Sequence, residues 1–359
     1  MARFHRLAVA RVAPAADDAV AVTLALPDAL RAAFAHVPGQ HVTVRHGDVR
    51  RTYSICSQAG AKALTVGVRR IPGGAFSTHA TRALAAGHAL DVLPPTGRFT
   101  LRPRPGHFAA ITGGSGITPV LSMVATLLAT EPEARFTLLR SDRSAASAMF
   151  LDEVADLKDR HPGRLQALHA LTREERHAGP PTGRLDEARL KELLPALLNV
   201  ADVDGWYLCG PLGLTGAGRA ALRALGVRRE RVHTELFHVG DAPPAATGKA
   251  ENAGDTENSG DTENAGATGA TLTATLDGRR ASWPVVPGET LLSAVLRNRP
   301  DAPWACRGGV CGTCRARLTD GRVRMDRTYA LDEPELAAGY VLACQARALT
   351  DRVDLDFDA

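Results

Sequence analysis

Four cysteines in the last fifth of the chain have the spacing of metal ligands. Cys306, Cys311 and Cys314 lie in the segment ACRGGVCGTC, and Cys344 follows in VLACQ. A C-x4-C-x2-C segment with a distant fourth cysteine is the pattern by which plant-type ferredoxins bind a 2Fe–2S cluster. The spacing therefore predicts that these four thiolates hold such a cluster, which accepts one electron at a time.

The loop between these cysteines is rich in glycine, as wrapping around a dinuclear cluster requires. Gly308, Gly309 and Gly312 are expected to allow positive φ angles and a close backbone approach, and their N–H groups can donate to the sulfurs. A structural zinc site usually shows two C-x2-C pairs, and only one is present. A Cys311–Cys314 dithiol would leave the other two cysteines unexplained, and disulfides are disfavoured in a reducing compartment.

A second group of residues has the chemistry of a flavin site. The segment RRTYSICS places Arg51, Tyr53 and Ser54 at the end of a predicted strand. A guanidinium group can bind a phosphate, a phenol ring can stack on the isoalloxazine, and a serine hydroxyl can reach the reactive flavin edge. The same arrangement occurs at ordinary strand edges. Its position ahead of a dinucleotide motif favours the flavin interpretation.

The segment PGGAFSTHA, about twenty residues further on, is typical of a turn that enters a helix. Backbone N–H groups at a helix start favour a bound phosphate. We therefore expect Gly73, Gly74, Ser77 and Thr78 to contribute to flavin binding.

The segment ITGGSGITP has the pattern of a dinucleotide-binding loop, because it follows a predicted strand and opens a predicted helix. Gly113, Gly114 and Gly116 would let the backbone pass close to a pyrophosphate, and Thr118 and Pro119 begin the helix. A glycine-rich loop on its own can equally be a tight turn.

Further nucleotide contacts are expected at the carboxyl ends of later strands, where parallel sheets bind ligands. Cys209, Gly210 and Pro211 in YLCGP could border the nicotinamide, although a lone cysteine there is more often a core residue. Ser141 or Arg143, after the strand RFTLLRS, could bind the 2′-phosphate of NADPH or could be ordinary loop residues.

The segment HTELF closes this half of the chain with Glu235 and Phe237. We expect Phe237 to contact a cofactor. Ser54, Cys209 and Glu235 are the predicted catalytic residues.

The predicted secondary-structure elements that must position these residues divide the chain into three regions with different hydrophobic patterns. Residues 1–105 show short alternating runs separated by turns, which predict an antiparallel β-barrel that binds the flavin. Residues 106–240 alternate apolar strands with helical patterns and predict an α/β nucleotide domain with a parallel sheet. Residues 271–359 predict a small α+β ferredoxin domain of the β-grasp type. The chain is thus expected to be multidomain.

Residues 241–270 differ from all the rest, because ENAGDT, ENSGDT and ENAGAT recur without any aromatic or large aliphatic residue. Such a segment cannot bury enough apolar surface to offset its ordering entropy. We interpret it as a flexible acidic linker with a typical span of roughly 30 Å. The alternative is a long surface loop inside one domain.

Composition limits the remaining choices. The chain has 359 residues and a formal net charge of +4, with 43 Lys and Arg against 39 Asp and Glu, so no nucleic-acid footprint stands out. The start of the chain has too short an apolar run for a signal peptide, and no stretch approaches a membrane span. We therefore expect a cytoplasmic protein with neither nucleic-acid nor membrane partners.

These motifs in this order resemble the ferredoxin–NADP reductase superfamily joined to a plant-type ferredoxin, an arrangement shared by reductase components of multicomponent oxygenases. The chain is most similar to the reductase family of phenylacetyl-CoA epoxidase, which degrades phenylacetate. The similarity covers nearly the whole chain apart from the repeat segment. It is carried by TEPEARFTLL, ADLKD, ACRGGVCGTC and DEPELAAGYVLACQARALTDRVDLDFDA.

The resemblance implies FAD, a 2Fe–2S cluster, a preference for NADPH, and the diiron oxygenase subunits of phenylacetyl-CoA epoxidase as electron acceptor. It matches the flavin, nicotinamide and cluster motifs residue by residue at the positions named above. Two departures matter. Ser141-Asp142-Arg143 stands where related chains tend to read G-N-R, and an acid beside a 2′-phosphate keeps NADH open. LGLTGAG follows Pro211 where methionines are more usual.

Three other functions fit parts of the pattern. The chain could be the reductase of a different oxygenase, of the ring-hydroxylating or phthalate type, with FMN in place of FAD. It could also be a redox-sensing iron–sulfur interaction module whose N-terminal half is a scaffold, or a zinc-stabilised binding module. NAD(P)H-dependent reduction of a dye separates a reductase from both modules.

Overall fold

The structure is a computed structural model that describes residues 3–174, 183–237 and 269–359. The described residues form two compact units, one up to Phe237 and one from Gly269 onward. The predicted linker, 241–270, lies outside the described residues except for its last two positions. Of these, Ala270 is buried in the core of the second unit.

The first unit begins with a six-stranded antiparallel barrel in the order β4-β3-β6-β1-β2-β5. A bridge between Ile55 and Val66 joins the two ends of this order. Alternating side chains such as Val22 and Leu24 point into the barrel core. A single helix, α1 (Ala75–Arg82), lies between the last two strands. The strands are β1 (His5–Ala16), β2 (Ala19–Ala25), β3 (His41–His46), β4 (Val49–Ser54), β5 (Ala63–Arg69) and β6 (Ala89–Val92).

The same unit continues into a five-stranded parallel sheet in the order β11-β10-β7-β8-β9. The central strands β7 and β10 are buried almost throughout because helices cover the sheet, whereas the edge strand β11 is polar and partly exposed. The strands are β7 (His107–Gly113), β8 (Arg135–Asp142), β9 (Leu165–Leu171), β10 (Gly205–Cys209) and β11 (Val232–Glu235). The helices are α2 (Ile117–Thr130), α3 (Leu151–Arg160), α4 (Glu187–Leu197) and α5 (Leu212–Ala224).

One hydrophobic core joins the barrel to the parallel sheet. Cys56 and Phe99 from the barrel region pack in the same buried cluster as Val124 of α2 and Phe136 of β8. Apolar burial therefore holds the carboxyl ends of β7 and β10 against the barrel strands.

The second unit is a five-stranded mixed sheet in the order β13-β12-β18-β14-β16 with α6 packed on it. Thr290 caps α6 by accepting a hydrogen bond from the N–H of Ser293 at 3.3 Å. The elements are β12 (Thr271–Leu276), β13 (Arg279–Pro284), α6 (Leu291–Asn298), β14 (Arg315–Asp320), β15 (Val323–Met325), α7 (Glu333–Ala337), β16 (Tyr340–Leu342), β17 (Ala346–Ala348) and β18 (Arg352–Asp356).

The predicted fold class is confirmed: an antiparallel barrel, a parallel α/β sheet and a C-terminal α+β sheet follow one another along the chain. Several elements were not predicted individually from the sequence pattern, among them the strands β1, β2 and β9 and the helix α4. Among the described helices, none combines the length and the apolar character needed to cross a bilayer.

Candidate cofactor sites

The cysteine loop lies between α6 and β14, and the sheet brings the fourth cysteine beside it. Cys314 directly precedes β14, which pairs antiparallel with β16. The N–H of Ala343 donates to the carbonyl of Cys314 at 3.0 Å, so Cys344 lies alongside the loop. Twenty-nine residues separate these two cysteines in sequence, and the pairing of β14 with β16 brings them together.

The four thiols form two pairs. The side chain of Cys306 is hydrogen-bonded to Cys311, and that of Cys314 to Cys344. Within the described ranges, no group of three or more His, Cys, Asp or Glu residues is placed to hold a metal ion. Two pairs suit a dinuclear cluster, because each iron takes two protein sulfurs and two bridging sulfides.

Hydrogen-bond donors surround these sulfurs before any cofactor is considered. The N–H of Gly308 donates to Cys306 Sγ at 3.3 Å, and Gln345 Nε2 donates to Cys344 Sγ at 3.4 Å. The bond from Cys311 and those from backbone N–H groups lower the pKa of the Cys306 thiol. Such donors stabilise thiolates and tune a cluster, so the residues present fit the 2Fe–2S group.

The loop takes its shape from three left-handed residues, not quite the ones expected. Gly309 has φ 76° and Gly312 has φ 67°, as predicted, and a Cβ on Gly309 would lie 3.0 Å from the Gln345 side chain. Only the positive φ expected at Gly308 was wrong, because Arg307 takes it instead with φ 53°. The Arg307 guanidinium lies 4.2 Å from the ring centroid of Trp304, a contact that helps to hold this turn.

The flavin motif occupies the end of β4 in the barrel. Ser54 is buried and Tyr53 is half-buried, with its ring 5.3 Å from that of Phe76 on α1. Burial raises the pKa of the Tyr53 hydroxyl, which keeps it protonated. Arg51 is exposed and donates to the carbonyl of Arg50 at 2.8 Å, so its guanidinium remains at the surface. An aromatic ring, a buried hydroxyl and a surface cation along one strand fit a flavin nucleotide.

The PGGAFSTHA turn enters α1 as expected. Gly73 has φ 70°, and Gly74 is the N-cap. Ser77 is buried, and its hydroxyl accepts from the N–H of Ile71 at 3.3 Å. Ser77 thus holds the turn, while the N–H of Thr78 continues the helix by donating to the Gly74 carbonyl at 3.0 Å.

The glycine-rich loop connects β7 to α2 and closely approaches the end of β10. A Cβ on Gly116 would lie 2.0 Å from the carbonyl oxygen of Cys209, which only glycine avoids. A Cβ on Gly113 would lie 3.1 Å from Pro211 Cδ. Thr118 is buried and donates to the Ser115 carbonyl at 2.9 Å, and the next residue, Pro119, is buried in the first turn of α2. The GGSG and CGP segments, including Gly210, therefore meet at one edge of the sheet.

Asp142 is the acid whose presence beside a 2′-phosphate counted against NADPH. Its side chain is buried instead of exposed at that edge of the sheet. Its side chain is 2% exposed and accepts hydrogen bonds from the Gly114 N–H at 3.0 Å and from His169 Nε2 at 2.8 Å. Arg140 Nη2 lies 3.2 Å from the same carboxylate. The hydrogen bond from Gly114 to Asp142 thus fixes the glycine-rich loop. The negative charge of Asp142 is compensated by Arg140 inside the protein.

Arg143 is more than half exposed, and its Nη2 lies 3.3 Å from the Asp18 carboxylate. Asp18 also accepts from Arg69 Nε at 2.9 Å. Ser141 lies two residues before Arg143, near the end of β8, and is half-buried. Arg143 therefore directly follows the carboxyl end of β8, where its guanidinium already lies beside one carboxylate.

The three residues predicted to be catalytic meet around a histidine that the sequence pattern did not single out. His41 pairs with Ser54 across β3 and β4, and Glu235 pairs with Cys209 across β11 and β10. His41 Nδ1 lies 4.0 Å from Glu235 Oε1. Phe237 follows two residues later and packs partly buried against the shared core.

Burial dominates the electrostatics of this junction. It raises the pKa of Glu235 to about 8 and lowers the pKa of His41 to about 4, so both are neutral at pH 7. The thiol of Cys209 is fully buried, and burial raises its pKa well above the ordinary value. Cys209 is thus an uncharged neighbour rather than a thiolate nucleophile. The only sequence signal for His41 is a polar residue that opens an apolar strand, which is too common to be specific.

Three protein-family models match the chain in the order of these sites. They are an oxidoreductase FAD-binding domain at residues 8–101, an oxidoreductase NAD-binding domain at 110–219, and a 2Fe-2S iron-sulfur cluster binding domain at 274–349. Together they define an electron-transfer oxidoreductase that carries FAD, a nicotinamide nucleotide and a 2Fe–2S cluster.

Relatives of similar length narrow the class. The chain is 39% identical to a subunit of 1,2-phenylacetyl-CoA epoxidase from Escherichia coli, over 100% of this chain and 99% of that protein. It is 32% identical to the ferredoxin reductase component of 3-ketosteroid-9-alpha-monooxygenase from Rhodococcus rhodochrous, over 98% and 96%. The chain belongs to the family of oxygenase reductase components that includes the Escherichia coli protein.

A solved structure shares the whole fold. Phthalate dioxygenase reductase superposes with a TM-score of 0.61 at 24% identity, covering 99% of this chain and 98% of that one. At this identity the likeness supports the fold and no closer relation.

Proposed function

We propose that this reductase takes electrons from NADPH and delivers them through FAD and the 2Fe–2S cluster to the diiron oxygenase subunits of a phenylacetyl-CoA epoxidase. The observation that carries this choice of partner is the 39% identity to the Escherichia coli epoxidase protein over the full length of both chains. When bound, FAD takes the two electrons of a hydride and releases them singly, as the cluster requires.

The barrel residues are proposed to bind FAD. Tyr53 would lie against the isoalloxazine, Ser54 at its reactive edge, and Arg51 at a phosphate. The turn at Gly73 and Gly74 would present the first N–H groups of α1 to the pyrophosphate. The ring contact between Tyr53 and Phe76 and the burial of Ser54 support this assignment.

The nucleotide is proposed to lie along the edge formed by the GGSG loop and Cys209-Gly210-Pro211. We propose NADPH over NADH because Arg143 stands at the end of β8, while the buried Asp142 carboxylate is paired with Arg140 and hydrogen-bonded to His169. A 2′-phosphate would then meet a guanidinium without a competing surface acid from its own loop.

Residues 241–270 are proposed to link a unit that binds FAD and the nucleotide, 1–240, to the ferredoxin domain, 271–359, so that the cluster moves between the flavin and the oxygenase. Shortening this segment should lower oxygenase-coupled turnover without lowering ferricyanide reduction. An unchanged coupled rate would show that the segment has another role.

The cysteine loop carries a candidate docking surface for an acidic patch on the oxygenase. Arg307 and Arg317 are exposed, whereas Arg315 lies 2.8 Å from Glu335 and stacks on Tyr340. Added salt should therefore weaken coupling most clearly through Arg317, whereas replacing Arg307, which stacks on Trp304, or Arg315 should also act on the fold. Equal effects of all three arginines would argue against this distinction.

The function is tested in two stages. An absorption spectrum of anaerobically purified protein, before and after NADPH is added, should show oxidised flavin and cluster and then their bleaching. Purified oxygenases are then compared as acceptors. A colourless protein would contradict the assignment of both cofactors, and coupling to other oxygenases alone would contradict the choice of partner.

A second acceptor class is favoured by one observation. The chain is 32% identical over nearly its whole length to the Rhodococcus reductase component of 3-ketosteroid-9-alpha-monooxygenase. That oxygenase is therefore the natural second acceptor in the reconstitution, and the ratio of the two coupled rates decides between them.

A further inference from the structure

The ends of four strands converge on one buried polar pair. His41 opens β3, and Glu235 closes β11. The two side chains are 5% and 13% exposed, and their nearest nitrogen and oxygen atoms are 4.0 Å apart. Their strand partners are Ser54 and Cys209, so the barrel and the parallel sheet each contribute two residues.

Each member of this pair keeps one polar atom without a protein partner. His41 Nε2 and Glu235 Oε2 are both buried, and neither has a hydrogen-bond partner in the described part of the chain. A buried polar group left unsatisfied is costly, so native proteins seldom keep two such atoms in one pair. A partner from outside the chain would remove this cost.

The pair also limits what that partner can be. A protonated carboxyl group can donate or accept, and a neutral imidazole offers one donor and one acceptor. The complementary group therefore carries a donor and an acceptor side by side at the edge of a flat ring. The isoalloxazine of FAD and the carboxamide-bearing nicotinamide both have such an edge.

We propose that His41 Nε2 and Glu235 Oε2 together bind the polar edge of a redox-active ring, and that His41 is a further binding residue of the hydride-transfer site. This inference rests on the proposed placement of that site at Ser54 and Cys209. The pair holds the ring edge from two sides, one from the barrel and one from the parallel sheet.

The test uses the purified, FAD- and cluster-loaded full chain. His41→Phe removes the donor, His41→Gln keeps one in a shorter side chain, and Glu235→Gln keeps size and hydrogen-bonding capacity. His107→Phe is the matched control, because His107 lies at the opposite, amino end of the parallel sheet and contacts the Thr137 hydroxyl at 2.9 Å.

Two measurements distinguish the two rings. If the pair binds the isoalloxazine, His41→Phe shifts the flavin absorption maximum in protein without nucleotide. If it binds the nicotinamide, that spectrum is unchanged and the dissociation constant of NADP⁺, followed by its difference spectrum, rises roughly tenfold, the loss of one hydrogen bond. His41→Gln should recover most of either effect, and His107→Phe should show neither.

The inference is overturned if His41→Phe, His41→Gln and Glu235→Gln all match the wild type in both measurements while Ser54→Ala shifts the flavin spectrum. If Ser54→Ala also leaves the flavin spectrum unchanged, the proposed placement of the hydride-transfer site fails as well. If His41→Phe does not fold, Glu235→Leu, which removes the hydrogen-bonding group of the other member of the pair, decides the outcome by the same two measurements.

Discussion

The cluster loop and the junction around His41 are built in opposite ways. In the loop, three of four ligands lie within the nine positions 306–314, and one strand pair brings in the fourth. At the junction, residues 41, 54, 209 and 235 come from four strand ends spread over most of the first unit. The loop depends on local backbone geometry, whereas the junction depends on a core shared by the barrel and the parallel sheet.

The difference predicts how each site fails. A loop made from one short segment loses its cofactor when one sulfur is removed, yet the surrounding sheet keeps its core. No single short segment holds the residues of the junction together. A change in packing or charge there should therefore change the free energy of unfolding of the whole first unit.

The largest effect is expected at the loop. Cys311→Ser should abolish oxygenase-coupled turnover, because one iron loses a thiolate and electrons can no longer pass through the cluster to the oxygenase. NADPH-dependent ferricyanide reduction should persist, since the first unit is intact. Iron and sulfide analysis with both assays checks this, and Cys56→Ala, which removes a buried barrel cysteine, is the control. Retention of a full cluster in Cys311→Ser would contradict the ligand assignment.

The next effect concerns packing between the glycine-rich loop and β10. Gly116→Ala should lower the free energy of unfolding of the first unit by about 1–3 kcal/mol and raise the KM for NADPH, because the new methyl group would lie 2.0 Å from the Cys209 carbonyl oxygen. Gly216→Ala on α5 is the control, since its Cβ meets no described atom within 4 Å. That variant should gain about 0.5–1 kcal/mol. Equal behaviour of both variants would refute the close approach.

A smaller effect is expected on the pH dependence of stability, to which the two titratable residues of the junction, Glu235 and His41, contribute in opposite directions. Burial raises the pKa of Glu235 from 4.5 to about 8, so the folded protein holds a proton that the unfolded chain has released. The stability that this proton contributes is complete below pH 4.5 and is lost as the pH rises through 8. Burial lowers the pKa of His41 from 6.5 to about 4, so its contribution is present above pH 6.5 and is lost as the pH falls through 4.

The two slopes oppose each other between pH 4.5 and 6.5, and only the decline from Glu235 remains between pH 6.5 and 8. Glu235→Gln should therefore flatten the fall in Tm over that interval, which corresponds to about 2 kcal/mol in wild type. Thermal melts across pH check this, with the exposed Glu230→Gln as the control. An equally steep fall in Glu235→Gln would mean that another group titrates.

The smallest effect is expected at the nucleotide edge. Arg143→Ala should raise the KM for NADPH roughly tenfold and leave that for NADH unchanged, because one charge-assisted hydrogen bond to the 2′-phosphate is lost. Arg135→Ala, at the amino end of the same strand, should change neither. Steady-state kinetics with both nucleotides checks this. An equal rise for NADPH and NADH would place Arg143 at a part of the nucleotide that both share.

Much of this molecule could be predicted from short segments. The cysteine spacing, the glycine-rich loop and the R-x-Y-S strand end each carry their chemistry within a few residues, and the matched family domains agree with the cofactors they predicted. The positive φ of Arg307 in place of Gly308 could not be predicted, because glycine adopts positive φ far more readily than arginine and only the folded loop places this requirement at Arg307. The burial of Asp142, whose carboxylate contacts Arg140 and His169, could not be predicted either, because these contacts depend on three separate strand positions.

The sequence by itself determined the order of the domains and the identity of the cofactors, since a ligand spacing or a phosphate-binding turn is a local property of the backbone. Only the tertiary structure decided that Ser54, Cys209 and Glu235 meet around His41. Their protonation states follow from burial, and burial exists only once the barrel and the parallel sheet share a core.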